Sequence, residues 1–241
     1  MIDWLRRAPD ALPTVELGGR MVPVVLRRLA HARRMTLRLA ADGSEVRVSL
    51  PRWGRSAEAL AFVRSRHDWL ERQLAAVPQT EPVGPGDTFP LHGEPLLLRH
   101  DRLAPRRPAV EGGTLVVGGP AESVVPRVQR WLEGEARRIM AADLAEYCAR
   151  AGVPLSRLAL SRAQRRWGSC AKSGAIRLNW RLVMGPEHVR RSVVAHEVAH
   201  LMHFDHSPAF HAALARLYQG DIAAADRWLK REGRSLYRWF G

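Results

Sequence analysis

His196, Glu197 and His200 stand in the order H-E-x-x-H, and His206 follows a short distance downstream. On a helix, residues four apart lie on one face in adjacent turns, so the imidazoles of His196 and His200 can reach one divalent metal ion. Glu197 is turned by about 100° from His196. That places it beside the metal, where it can orient a bound water and accept its proton. With 10 histidines and 14 glutamates in 241 residues, about 0.02 such matches are expected by chance. The setting argues further against chance: from Val193 to Met202 only His196, Glu197 and His200 are polar. A buried helix that carries a carboxylate and two imidazoles needs a compensating partner, and a metal ion with its water supplies one.

Catalytic zinc sites usually take three protein ligands and keep one position for water. His203 shares the face of His196 and His200, but a straight helix carries it too far along the axis to close the site symmetrically. His206 falls where the helix should have ended. Asp205 and Ser207 are both plausible caps, Pro208 suits a first helical position, and Phe210, Leu214, Leu217 and Tyr218 mark the core face of a following helix. A turn there lets His206 approach the metal from a second direction. The expected site is therefore one zinc ion on His196, His200 and His206, with Glu197 as general base and then proton donor. The sequence does not single out an oxyanion-stabilising group; His203, His211, Asn179, Arg165 and Arg166 are the candidates. Cys170 has no catalytic spacing around it.

The elements that must hold these residues can be read in outline. Residues 1–21 lack a clear period and read as an N-terminal tail. Alternation over Met35, Leu37 and Leu39, the turn signal Asp42-Gly43, and alternation over Val46, Val48 and Leu50 predict a β-meander beginning near Val22. Ser56 can cap one helix whose face is Leu60, Val63, His67, Leu70 and Leu74, with His67 a core or boundary residue. Residues 78–95, rich in Pro and Gly, read as a connecting loop, and short β signals follow at Leu96–Arg99 and Thr114–Val117. A long helix is predicted from near Ser123 to about Arg150, stopped by Gly152 and Pro154. Leu158 and Leu160, then Ile176, Leu178 and Trp180, alternate on either side of Arg166-Trp167-Gly168-Ser169-Cys170 and read as a hairpin leading into the metal helix.

Composition bounds the rest. At 46% hydrophobic the chain can bury a real core. No signal peptide and no stretch of 18 apolar residues is visible, so the expected compartment is the cytoplasm, without membrane attachment. The two cysteines, Cys148 and Cys170, read as reduced thiols. Net charge is +14, and of 38 basic residues only Lys172 and Lys230 are lysines. Such a surplus suits anionic partners, nucleic acid among them. Skewed codon usage, replacing Lys by Arg throughout, accounts for it equally well. Nothing in the sequence sets an oligomeric state.

Three blocks, Arg166-Trp167-Gly168-Ser169-Cys170, Ile176-Arg177-Leu178-Asn179-Trp180-Arg181-Leu182, and HEVAHLMHFDHSPAF at 196–210, resemble the YgjP-like metallopeptidase family, related to the WLM and SprT-like zincins. The resemblance implies an α+β fold with a zincin-like core, the H-E-x-x-H helix packed beside a small β-sheet, preceded by a β-rich part with one helix. It covers roughly residues 22–235, divided as 22–119 for the β-rich part and 120–235 for the zinc-binding catalytic part. It also implies zinc on His196, His200 and His206, with Glu197 as catalytic acid/base. The expected activity is hydrolysis of a peptide-like bond by a metal-bound water that Glu197 activates. Two alternatives stand beside it: a metal-dependent nucleoside triphosphate pyrophosphatase, favoured by the arginine surplus and by activity attributed to the family, and a DNA-associated protein whose zinc is structural. The substrate is therefore a peptide or a nucleotide.

Overall fold

The computed structural model describes residues 12–40, 43–75, 83–164 and 166–240. The fold is mixed α+β, with helices and several small sheets in two compact units, residues 1–78 and 79–241. Each unit has its own hydrophobic cluster.

The first unit is a four-stranded sheet of β1 (Thr14–Leu17), β2 (Arg20–Leu29), β3 (Thr36–Leu39) and β4 (Val46–Pro51), in the order β1-β2-β4-β3. Residues 14–17, expected in a tail, form a strand because Val15 and Leu17 alternate inward and pair with Val22 and Arg20 across the two-glycine turn at Gly18 and Gly19. Arg20 and Met21 of that expected tail already belong to β2, and residues 1–11 lie outside the described residues. Nor is the sheet a meander. β2 runs parallel to β4, so the antiparallel pairs β1–β2 and β3–β4 do not join into one up-and-down run. Alternation defines which face of a strand is buried, not which strand lies beside it. Of the Asp42-Gly43 turn, Asp42 lies outside the described residues, and Gly43 has the positive φ of 70° that such a turn requires.

Where one helix was expected there are two, α1 (Ser56–Ser65) and α2 (His67–Ala75), broken at Arg66. Both bury a face in the same cluster through Ala59, Val63 and Leu70. Arg55, not Ser56, occupies the N-cap of α1, and its side chain makes no capping bond. His67, expected at the core or its boundary, is exposed because it opens α2 at the break, and its Nε2 lies 2.9 Å from the Glu16 carbonyl oxygen.

The second unit begins with a sheet of β5 (Thr88–Leu91), β6 (Glu94–His100), β7 (Ala109–Glu111) and β8 (Thr114–Val117), ordered β5-β6-β8-β7. Part of the expected loop at 78–95 is thus strand, because Phe89 is buried against the core. Phe89, Leu96, Leu98, Leu115 and Val117 share one core with Val124, Val128, Leu132 and Met140 of α3 (Val124–Ala151). The β elements at 83–119 therefore share the core of the unit that carries the three histidines, residues 79–241. α3 ends as expected at Gly152, which takes the left-handed conformation with φ 66°.

The third sheet joins β9 (Leu158–Ser161), β10 (Gly168–Cys170) and β11 (Ile176–Asn179) in the order β10-β11-β9. β9 and β11 are parallel, and the residues between them supply β10 as the edge strand, antiparallel to β11. The expected hairpin is thus replaced by a crossover. A 3-10 turn at Trp180–Val183 leads to α4 (Glu187–Met202), followed by α5 (Pro208–Leu217) and α6 (Ile222–Arg231). The β5–β6 turn docks on the start of α4. His92 N donates to Val183 O at 2.8 Å, Gly93 N donates to Met184 O at 3.0 Å, and a Cβ on Gly93 would press within 3.1 Å of Pro186.

Candidate metal centre

α4 brings His196, Glu197 and His200 together, and its packing explains why this stretch is helical and buried. Val189, Val194, Ala195, Val198 and Ala199 are fully buried, so the helix is enclosed on more than one side. Asp143 of α3 lies only 4% exposed and accepts hydrogen bonds from Arg190 Nε at 2.7 Å and Arg191 at 3.2 Å. Arg191 also donates to Glu146 at 2.6 Å. This charged clamp pins the first half of α4 to α3.

The helix stops at Met202 because His203 turns extended, with φ −140° and ψ 112°. Its freed carbonyl oxygen lies 3.1 Å from His200 Nδ1. A protonated Nδ1 donating to that carbonyl leaves Nε2 as the free lone pair, the usual way a ligating imidazole is oriented. After the turn, the Ser207 hydroxyl accepts a hydrogen bond from Phe210 N at 3.4 Å and starts α5 with Pro208 in its first turn. The chain doubles back as the sequence implies, and His206 arrives beside the helix.

Three imidazoles converge. One ligand atom each from His196, His200 and His206 lies within 4.8 Å of the others, and the Nε2 atoms of His196 and His206 are 3.3 Å apart. Nitrogens about 2.05 Å from a tetrahedral zinc ion stand about 3.3 Å apart, so the closest pair already has the right separation. Below them sits Phe210, fully buried, with its ring centroid 5.0, 4.6 and 4.8 Å from those of His196, His200 and His206. This aromatic floor keeps the rings from collapsing into the core. Burial and the neighbouring imidazoles hold His196 down to about 4, so it remains neutral and able to ligate across the physiological range.

Glu197 is only 5% exposed, and its Oε2 is buried without a hydrogen-bond partner. Burial pushes its carboxyl up to about 7, with the Arg166 charge pulling the other way. An orphaned carboxylate oxygen on the residue next to His196, one of three convergent imidazoles, is the observation a metal fits: the donor set is all nitrogen, and a cation nearby offsets the desolvation of Glu197. The other side of that carboxylate touches β10. A Cβ on Gly168 would run into the Glu197 carboxylate and come within 2.6 Å of its Cγ.

The oxyanion candidates are sorted by this geometry. Asn179 is fully buried away from such a role: its Nδ2 donates to Ala163 O and Tyr237 Oη, both at 2.8 Å, and its Oδ1 accepts from Arg181 N. His203 contributes its carbonyl to His200. His211 has its ring 6.4 Å from that of His206 and stands outside the three-nitrogen cluster. Arg166 is exposed and close enough to act on Glu197, whereas Arg165 lies outside the described residues. Burial and the Glu197 charge push the Cys170 thiol up, away from the thiolate a nucleophile needs. Gly168 and Phe210 are the site residues that residue-type reasoning passed over. Gly168 sits in the Arg166–Cys170 block, and Phe210 was visible only as a core position of the next helix.

A family model for the YgjP-like metallopeptidase domain matches residues 33–232. The chain belongs to the YgjP-like metallopeptidase family, and with it to the metal-dependent, peptidase-type hydrolases. No curated protein matches the chain. No solved structure matches it either. Among the described residues, no helix is long and apolar enough to cross a membrane.

Proposed function

We propose that the chain hydrolyses peptide-like bonds with one zinc ion held by His196, His200 and His206 in a zincin-like core. The observation that carries this reading is the convergence of three imidazoles next to a buried carboxylate whose Oε2 has no partner. When bound, zinc supplies Lewis acidity, polarising the scissile carbonyl and lowering the pKa of the attacking water. Glu197 accepts the proton of that water at a carboxylate oxygen and returns it to the leaving amine nitrogen. Its dry surroundings favour a carboxyl that can both take and give a proton near neutrality. The His203 carbonyl orients His200, and Gly168 leaves Glu197 the space to stand beside the reacting atoms.

An extended substrate also has a place to pair. β10 is the edge of its sheet and packs beside α4, so one of its sides lacks a strand neighbour within that sheet. A peptide laid along it would gain main-chain hydrogen bonds, the usual economy of strand addition. Two free cysteines, one of them buried, suit a reducing compartment such as the cytoplasm.

The test is a panel of peptides and nucleoside triphosphates offered to the wild type and to Glu197→Gln, with zinc measured in both. The expected result is peptide cleavage that drops by at least about a hundredfold in Glu197→Gln while zinc stays near one per chain. Pyrophosphate release from nucleotides, with peptides untouched, would replace the peptidase reading by the pyrophosphatase one. Zinc retention with no hydrolysis in either arm would leave a structural metal.

A further inference from the structure

One end of the first unit's sheet gathers arginines, and the nearest acid along the chain from them is Glu58, in the first turn of α1. The register sets Arg28 opposite Leu50 and Leu29 opposite Pro51, while Thr36 stands opposite Ser49. The end of β2, the crossover at 30–35, the start of β3 and the end of β4 therefore meet at one edge. Between them, residues 27–35 and 51–57 contain six arginines, Arg27, Arg28, Arg33, Arg34, Arg52 and Arg55, and no acidic residue. All six are exposed, and among the described residues none forms an ion pair; Arg28 makes one hydrogen bond, to the Ser56 hydroxyl at 2.9 Å. Elsewhere in this unit Glu45 is met by Arg47 and Glu71 by the backbone N–H of Gly18.

In the middle of this charge stands Trp53, 78% exposed. A tight turn presents it: Gly54 N donates to Pro51 O at 3.0 Å, and Gly54 is buried so closely that a Cβ there would lie 3.1 Å from Leu50. Gly54 pulls inward, and the two central residues of the turn, Arg52 and Trp53, project outward. Leaving an indole in water costs the chain apolar burial, and none of the described residues covers it.

We propose that this end of the sheet binds single-stranded nucleic acid, with Trp53 as the stacking platform for a base and the surrounding guanidiniums holding the phosphates. Neighbouring strands lie about 5 Å apart, so β2, β4 and β3 spread the arginines over about 10 Å or more, enough to follow a backbone past a stacked base. Guanidinium matches phosphate bidentately and also stacks on bases, which an ammonium does not. A single large aromatic within a charged field suits one base at a time. A membrane surface would call for several exposed apolar side chains on this edge, and only Leu29, 46% exposed, joins Trp53 there.

The test is fluorescence anisotropy of the full chain with a labelled oligothymidylate of about 16 nucleotides, a duplex of equal length, and, in parallel, co-sedimentation with vesicles containing phosphatidylglycerol. Six phosphate contacts predict a salt slope near −4, a loss of roughly 300-fold in affinity between about 50 and 200 mM salt. Trp53→Ala should weaken oligothymidylate binding by roughly fivefold to a hundredfold and leave duplex binding unchanged. Arg33→Glu with Arg34→Glu should abolish binding, whereas the same charge change at Arg102 and Arg216 of the other unit should have little effect. No binding at about 50 mM salt overturns the proposal. So does equal sensitivity to the two double variants, which would leave only net charge, or insensitivity to Trp53→Ala. Vesicle binding that depends on Trp53 without oligonucleotide binding assigns the surface to a membrane and overturns it as well.

Discussion

At the scale of single residues, the site depends on what fills space as much as on what carries charge. A methyl group at Gly168 would meet the Glu197 carboxylate, so the glycine holds open the room in which Glu197 stands. Gly168→Ala is expected to displace that carboxylate, lowering hydrolysis roughly a hundredfold with zinc content unchanged by metal analysis. The opposite pattern, zinc lost and residual activity in proportion, would place Gly168 under the ligands instead. His196, His200, Glu197 and His206 were legible in the sequence because helical geometry turns spacing directly into position, and the Asp205–Pro208 signals announced the turn that delivers His206. Gly168 was not legible as a site residue. Its role arises from the approach of a strand far off in the chain, which no local spacing records.

At the scale of elements, α4 is held by its partners. Asp143 and Arg190 form a buried pair, with side chains 6% and 7% exposed. Asp143→Ala would strand the Arg190 guanidinium in the core at a cost of about 3–5 kcal/mol, measurable as a lower urea midpoint. Glu146 adds a pH dependence. The hydrogen bond from Arg191 holds its carboxyl below the ordinary value of 4.5. A depressed carboxylate stabilises the fold above its unfolded value, and that contribution is lost as pH falls through the folded one. Glu146→Gln should therefore unfold more easily than wild type near pH 7, with the difference closing as pH falls below the ordinary value of 4.5 and through the depressed one; a gap that widens in acid would contradict this. The three helices α3, α4 and α5 were readable from caps and periodicity. The partners of the strands were not. β2 with β4, β6 with β8 and β9 with β11 are all parallel pairs separated by a crossover, and alternation within a strand is silent about its neighbour.

At the scale of the whole molecule, two hydrophobic clusters share no residue, and the family match runs through both units. Leu50 is fully buried in the first cluster, between strands that carry no metal ligand. Leu50→Ala should cost that unit about 2–5 kcal/mol while the metal content of the purified protein stays unchanged. Calorimetry together with metal analysis reads both quantities, and loss of zinc would show that the centre depends on the first unit's core. Composition had announced the excess of arginine without its placement. Register is what gathers six of them at one sheet end while others are paired or dispersed.

The ending of α4 reaches further than the shape of one helix. Connecting segments are ordinarily where a chain absorbs insertions and deletions. Residues 203–207 have no such freedom: the first supplies the carbonyl facing His200, the fourth is His206, and the fifth caps α5. One residue more or fewer after His203 would shift His206 and the cap of α5 together relative to α4. This short surface connection should therefore keep its length more strictly than the helices it joins, and a change of length here would mark a descendant that has given up the metal.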